Sequence, residues 1–164
     1  QLFLSRRHLP LDRSALRRGL HETRWPGRLE LVNTEPLVLL DGAHNLPGIQ
    51  ALVKTIQDDF ADRDVYLLVA ILADKQYELM LGELASLGNV HIMVTHFAGP
   101  GPRRPSADLT GVAKEIASRY PIQVAAQWQL GFQELAGQLS SDDVMIVTGS
   151  LYFISEVRQL FSAN

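Results

Sequence analysis

A stretch of polar residues follows one apolar run and is the strongest candidate for chemistry in the chain. Leu37–Leu40 is continuously apolar, typical of a strand buried on both faces, and Asp41-Gly42-Ala43-His44-Asn45 comes directly after it. In open α/β sheets, ligands bind beyond the carboxyl ends of the strands. Asp41 could hold a ribose diol or a metal there, and His44 could donate to a phosphate or carboxylate. The alternative is that Asp41 and Asn45 only cap the following helix.

Two further polar positions follow apolar runs in the same way. Lys75 comes just after residues 65–72, so its ammonium could contact a phosphate or carboxylate, although an exposed loop lysine is usually only solvated. Ser150 follows Val144–Thr148 and opens a helix, where its hydroxyl and the backbone N–H groups suit a carboxylate. It could equally serve only as the helix N-cap. Strand ends of this kind place Asp41, Lys75 and Ser150 at one edge of the predicted sheet.

The elements that position these residues alternate between strand and helix. Beyond a short helix from about residue 12 to 19, strands are predicted at 29–32, 37–40, 65–72, 90–95, 122–126 and 144–148. Helices are predicted at 46–60, 77–87, 132–139 and 151–161, and from Ser106 or Asp108 to about 120. The pattern predicts an α/β fold: a three-layer Rossmann-like sandwich on a mostly parallel sheet of about six strands, with an antiparallel hairpin at its start.

Composition indicates an ordinary soluble domain. At 164 residues, 46% hydrophobic, 20% charged and a net charge of -3, the chain gives no global signal for nucleic acid or membrane, and we expect neither partner. It contains no apolar span of about 18 residues. It has no cysteine, which excludes a disulfide framework and a thiolate metal site and suits a cytoplasmic protein.

Basic residues and histidines outside the strand ends carry weaker signals. Seven arginines fall in the first 28 residues, but interleaved leucines and the lack of an aromatic stacking set argue against a nucleic-acid arm. Arg103 and Arg104 lie on a long Gly- and Pro-rich loop and could attract an acidic peptide chain, although adjacent arginines more often face solvent. We predict packing roles for the remaining histidines: His8, His21, His91 and His96.

Four strings in order resemble one known family. Asp41-Gly42-Ala43-His44-Asn45 is similar to the signature that opens the C-terminal domain of folylpolyglutamate synthase and dihydrofolate synthase, within the Mur ligase superfamily. One departure is that Leu46 stands where the family usually has proline. The resemblance runs from about residue 25 to the end, and its other strings are Trp25-Pro26-Gly27-Arg28-Leu29-Glu30, Ala73-Asp74-Lys75 and Thr148-Gly149-Ser150-Leu151-Tyr152.

The resemblance implies ATP-dependent amide formation. A folate or dihydropteroate carboxylate becomes an acyl phosphate, which the amino group of L-glutamate attacks. Arg28 matches the family position that reaches the terminal phosphates of ATP, and Asp41 matches the one that contacts its ribose. We predict catalytic roles for His44 and Lys75, and glutamate binding by His44 and Ser150. An isolated surface arginine or a solvated lysine would be the alternative for Arg28 and Lys75.

The same resemblance divides the chain and assigns its partners. Residues 1–27 are expected to be the tail of a preceding ATPase domain plus a hinge, and residues 28–164 the Mur ligase-like C-terminal domain. Because no Gly-x-x-x-x-Gly-Lys-Ser/Thr string occurs in the 164 residues, ATP and Mg2+ are expected to bind mainly to that other domain, with no metal ligands here. The chain alone is then expected to be inactive, and its full-length parent to be a cytoplasmic monomer.

Three alternatives remain open from sequence. The domain could belong to a Mur-type peptidoglycan ligase or a cyanophycin-type synthetase, although the strings beginning at Trp25 and Thr148 argue against both. It could also be a free-standing α/β binding module without catalysis. A Gly-Lys-Ser/Thr loop in the upstream reading frame would support the ligase.

Overall fold

Six strands form one mixed sheet in the computed structural model, which describes residues 26–161. The sheet order is β1-β2-β6-β3-β4-β5, with β1 antiparallel to β2 and every other neighbouring pair parallel. This confirms the predicted mostly parallel sheet with a hairpin at its start. The strands are β1 (Glu30–Thr34), β2 (Leu37–Leu40), β3 (Val65–Val69), β4 (Val90–Val94), β5 (Gln123–Val124) and β6 (Val144–Thr148).

Helices cover both faces of this sheet and complete the three layers. They are α1 (Leu46–Asp59), α2 (Tyr77–Ala85), α3 (Thr110–Glu115), α4 (Trp128–Gln138) and α5 (Leu151–Arg158), the last followed by a 3-10 turn at Gln159–Phe161. Buried residues of α1, α2 and α3 join one apolar core, and those of α4 and α5 join a second. Successive strand residues alternate between the two cores, since Leu67 and Val69 face the first and Leu68 the second.

Local sequence explains where α1 begins. Asn45 is its N-cap, and the Asn45 side-chain oxygen accepts from Gly48 N at 2.8 Å. Pro47 lies in the first turn, where a missing backbone donor costs nothing. Leu46, the departure from the family string, therefore leaves the start of the helix intact.

The order of the strands creates a switch point between β3 and β6. From β3, the chain continues through α2 to β4, towards one side of the sheet. After β5 it returns through α4, and β6 is inserted between β2 and β3. Because α2 and α5 leave adjacent strands on opposite faces of the sheet, their preceding loops diverge and open a crevice at the carboxyl ends of the strands.

The predicted boundaries fail mainly at the β5 side of the sheet. The helix predicted to reach residue 120 spans only Thr110–Glu115, because Ile116 adopts an extended conformation with ψ of 125°. The strand predicted at 122–126 is limited to Gln123–Val124, both exposed. In contrast, α4 begins four residues earlier than predicted because Trp128 is buried beside Phe153.

Two other predicted elements have separate outcomes, one strand being shorter than predicted and one helix lying outside the described residues. The strand expected over 65–72 ends at Val69, although residues 70–72 stay buried. The helix predicted at 12–19 lies outside the described residues, as does most of the predicted segment 1–27. No helix within residues 26–161 is long and apolar enough to cross a membrane.

Candidate functional site

Loops from three strands meet in one pocket at the switch point. His44 comes from the loop after β2, Lys75 from the loop after β3, and Ser150 from the turn after β6. With Arg104 and Tyr152, they line a pocket of about 240 Å³. The structure therefore brings together three of the five predicted site residues, the other two being Arg28 and Asp41.

A glycine allows these loops to approach each other. Gly149 has φ of +107°, and its N–H donates to Ala43 O at 3.1 Å. A Cβ at this position would lie 2.5 Å from Ala70 O, closer than a real side chain tolerates. The turn between β6 and α5 therefore requires glycine for both its conformation and its packing.

Ser150 is buried and forms the N-cap of α5. Its Oγ accepts from Tyr152 N at 3.2 Å, as the capping prediction required. A hydroxyl that accepts one bond still has its own hydrogen to donate. Capping and ligand binding are thus compatible at Ser150.

The imidazole of His44 is oriented by the backbone of its own loop. Nδ1 lies 2.8 Å from Gly42 O, and because a carbonyl oxygen only accepts, Nδ1 carries the proton. In the neutral ring Nε2 is then an acceptor, and in the protonated ring it is a donor. His44 is half-buried at the pocket and makes no hydrogen bond through Nε2 within residues 26–161.

Arg104 is the functional candidate that sequence reasoning undervalued. Its Nε and Nη2 both lie 2.9 Å from Asp74 Oδ2, which holds the guanidinium at the pocket while Arg103 stays exposed. Lys75 Nζ is 3.9 Å from Asp74 Oδ1. With two cations, Lys75 and Arg104, beside the single carboxylate of Asp74, this side of the pocket has one more cation than anion. No local pattern could reveal the pair, because Asp74 and Arg104 are 30 residues apart.

Asp41 is buried and does not cap α1. Its Oδ1 accepts from Ala43 N at 2.9 Å, and its Oδ2 accepts from Leu29 N at 3.1 Å. The carboxylate thereby connects the loop after β2 to the turn that precedes β1. Each oxygen retains a second lone pair for a further donor.

Arg28 lies in that turn, outside the pocket formed by His44. Its side chain is exposed, and its neighbours hold the backbone: Gly42 N donates to Gly27 O at 2.6 Å. The two positions predicted to bind nucleotide, Arg28 and Asp41, are therefore adjacent through the Leu29 hydrogen bond. They form a second part of the candidate site, beside the pocket of His44, Lys75 and Ser150.

A larger cavity lies elsewhere on the same edge of the sheet. It measures about 540 Å³ at the ends of β4 and β5 and includes His96, Asp108 and Thr110, but none of the five predicted site residues. His96 is exposed there, so the packing role predicted for it is wrong. Hydrogen bonds from Thr110 hold the pKa of the Asp108 carboxyl below its usual value. We favour the smaller pocket as the site, because it lies at the switch point and polar groups from several loops converge on it. Across residues 26–161, no group of three or more His, Asp or Glu could hold a metal ion.

The fold and pocket define a class: Rossmann-like α/β domains that bind ligands at the carboxyl ends of their strands. Comparison with known proteins is more specific. The family model described as "Mur ligase, glutamate ligase domain" matches residues 27–151, and the chain belongs to this family.

Individual relatives agree with the family. The chain is 33% identical over 146 residues to a dihydrofolate synthase/folylpolyglutamate synthase of Bacillus subtilis, covering 88% of this chain and 32% of that protein. The chain therefore spans about a third of the length of this curated relative.

Solved structures show the same fold. A folylpolyglutamate synthase of Mycobacterium tuberculosis complexed with ADP superimposes with a TM-score of 0.78 at 24% identity, over 98% of this chain and 38% of that one. A bifunctional folylpolyglutamate synthase/dihydrofolate synthase with Mn, AMPPNP and L-glutamate bound gives 0.72 at 26% identity, over 93% of this chain and 35% of that one.

Proposed function

We propose that this chain is the C-terminal domain of an ATP-dependent ligase that adds L-glutamate to a folate or dihydropteroate carboxylate. The observation that carries the proposal is the convergence of His44, Lys75, Arg104 and Ser150 on one pocket, beside the turn of Arg28. Membership of the glutamate ligase domain family and the names of the relatives support it. Because the chain spans only part of those relatives, the activity belongs to a longer parent chain.

The pocket offers complementary groups for L-glutamate. Glutamate has two carboxylates, and Lys75 and Arg104 supply cations for one of them. The other fits the N-terminus of α5, where backbone N–H groups of the first turn and the Ser150 hydroxyl are suited to donate. Nε2 of neutral His44 accepts a hydrogen bond and is suited to orient the glutamate amine and take its proton as the amide forms.

Arg28 and Asp41 fit the nucleotide. A guanidinium suits phosphate oxygens, and a carboxylate with two remaining lone pairs suits the ribose hydroxyls. When bound, ATP supplies the phosphoryl group that activates the acceptor carboxylate. Mg2+ would be held mainly by the ATPase domain of the parent, because the Gly-x-x-x-x-Gly-Lys-Ser/Thr string that binds a triphosphate with its metal does not occur in the 164 residues.

The ATPase domain of the parent is the proposed partner of the pocket edge. Leu151 and Tyr152 are about half exposed beside the pocket, an apolar surface that a neighbouring domain would cover. Closure would also exclude water from the activated carboxylate. We propose a monomeric cytoplasmic parent, and we expect the isolated chain to fold without turning over ATP.

Phosphate release by the full-length parent tests this function. With ATP and L-glutamate present, dihydropteroate and tetrahydrofolate should be compared side by side, and release should require glutamate and at least one of them. Lys54→Met is a matched control, because among residues 26–161 Lys54 pairs only with Asp58, on the exposed face of α1, and its loss should change nothing. Release that ignores glutamate would overturn the proposal, and folate-dependent ATPase activity of the purified chain would overturn the expected inactivity.

A further inference from the structure

Glu30 joins the turn that carries Arg28 to the far end of α5. Its Oε2 accepts from Gly27 N at 2.7 Å and also pairs with Arg158 Nη2 in the last turn of that helix. Both side chains are largely buried, with 26% and 31% of Glu30 and Arg158 exposed. An ion pair shielded in this way is screened less than one on the open surface.

The other side of the turn is held by the loop after β2. Leu29 N donates to Asp41 Oδ2 at 3.1 Å, and Gly42 N donates to Gly27 O at 2.6 Å. Leu29 has φ of +41°, a conformation that side-chain-bearing residues rarely adopt and that persists only where surrounding contacts enforce it. The backbone on both sides of Arg28 is therefore fixed.

Helix α5 is the surface against which this turn lies. A Cβ on Gly27 would come within 2.8 Å of Ile154 Cδ1, and one on Gly42 within 2.3 Å of Leu151 Cδ2. The same helix begins after Ser150 in the pocket and ends at Arg158. One rigid element therefore contacts both the pocket and the turn of Arg28.

We propose that Glu30 and Arg158 are positioning residues for Arg28. Their ion pair holds the Gly27–Leu29 turn on α5, so that the backbone of Arg28 is fixed relative to Asp41 and the pocket and its exposed guanidinium extends from that position. Neither residue contacts a reactant itself. The inference rests on the proposed function, because it assigns Arg28 to nucleotide phosphates.

The experiment uses the full-length parent with Glu30→Gln, Arg158→Met and Arg158→Lys. Loss of a charge-assisted contact should lower kcat/KM for ATP about tenfold in Glu30→Gln and Arg158→Met, with the KM for glutamate changed less than about twofold. Arg158→Lys keeps the charge and should fall between wild type and Arg158→Met. Lys54→Met, which breaks an exposed ion pair of α1, is the control for loss of a charge.

Non-additivity separates positioning from stability. If Glu30 acts through Arg28, Glu30→Gln should cause no further loss of kcat/KM for ATP in an Arg28→Ala background. Nucleotide affinity, measured with ADP by calorimetry, provides the same comparison if turnover is too low. A full tenfold loss in both backgrounds, or equal losses for ATP and glutamate with a lowered Tm, would overturn the inference. An inactive wild-type parent would instead refute the proposed function.

Discussion

The two edges of the sheet each hold a histidine among polar neighbours, but in opposite settings. At the carboxyl edge, His44 lies at an open pocket with one ring nitrogen held by Gly42 O. At the amino edge, His91 lies between Tyr66 and Tyr120, with ring centroids 4.6 and 4.0 Å apart. Its Nε2 is 3.5 Å from Asp64 Oδ1.

The difference shows what separates a side chain that is free to react from a packed one. Both faces of the His91 ring are covered by tyrosine rings, and its Nε2 is itself buried. Burial is also the main cause that raises the pKa of the Tyr66 hydroxyl. His91 therefore has the packing role predicted for it. His44 combines a fixed tautomer with access to a pocket, which are the properties that acid–base and anion-binding chemistry require.

The largest expected effect is the contrast between alanine variants of these two histidines. In the parent, His44→Ala should lower kcat about 100-fold with little change in Tm, because it removes a positioned proton acceptor. His91→Ala should leave kcat within about twofold but destabilise the fold by about 1–3 kcal/mol, the worth of two aromatic contacts. Kinetics and thermal unfolding on both variants check the pair. Loss of stability without loss of rate in His44→Ala would place both histidines in the packing class.

Two glycine substitutions compare the pocket loops with a helix away from the pocket. Gly149→Ala puts a Cβ 2.5 Å from Ala70 O at φ of +107° and should cost about 2 kcal/mol or more in the free energy of unfolding. Gly137→Ala, in α4 with no atom within 4 Å of the new Cβ, should stabilise by about 0.5–1 kcal/mol. Denaturant unfolding of this chain measures both. Equal effects of the two substitutions would show that the loops at the pocket can relax.

Sequence predicted best where burial is complete. Strands β2 and β6 occur at the predicted residues, because each is an unbroken apolar run ended by a polar residue or glycine. It predicted poorly at β5 and α3, where the elements are short and β5 is exposed, so local preferences are not reinforced by a core. Boundaries were thus accurate for the two strands that precede His44 and Ser150, whereas β3, which precedes Lys75, ends three residues earlier than predicted. They were least accurate at the far side of the sheet.

The candidate site was only partly predictable. His44, Lys75 and Ser150 could be grouped in advance because each follows the carboxyl end of a parallel strand. Arg104 and Glu30 could not be paired with their partners, since Asp74 is 30 residues from Arg104 and Arg158 is 128 residues from Glu30. Side-chain pairs formed by tertiary packing leave no periodic signal in one sequence.

Asp41 tests whether the proposed nucleotide part of the site is separate from the pocket. Asp41→Ala in the parent should weaken ATP use by about 1.5–3 kcal/mol, or tenfold or more, and affect glutamate less. It should also lower Tm, because the N–H groups of Leu29 and Ala43 lose their acceptor. Asp41→Asn keeps one acceptor oxygen and the shape of the side chain, so it should recover part of the stability. An unchanged KM for ATP and unchanged turnover in Asp41→Ala would remove Asp41 from the site.

The smallest expected effect concerns Ser150, where capping and binding coincide. Its Oγ accepts from Tyr152 N, so Ser150→Ala should lower the stability of this chain by about 1 kcal/mol whatever its role. If the hydroxyl also donates to a glutamate carboxylate, the KM for glutamate in the parent should rise several-fold, for a contribution of about 0.5–1.5 kcal/mol, with ATP dependence nearly intact. Ser150→Gly separates the two roles, because glycine at an N-cap costs only a few tenths of a kcal/mol yet removes the same hydroxyl. Binding by the hydroxyl requires that both variants raise the KM for glutamate equally while their Tm values differ. Unchanged glutamate titrations beside a lowered Tm would leave Ser150 as a cap alone, and the proposed glutamate binding would then depend on Lys75, Arg104 and the backbone of α5.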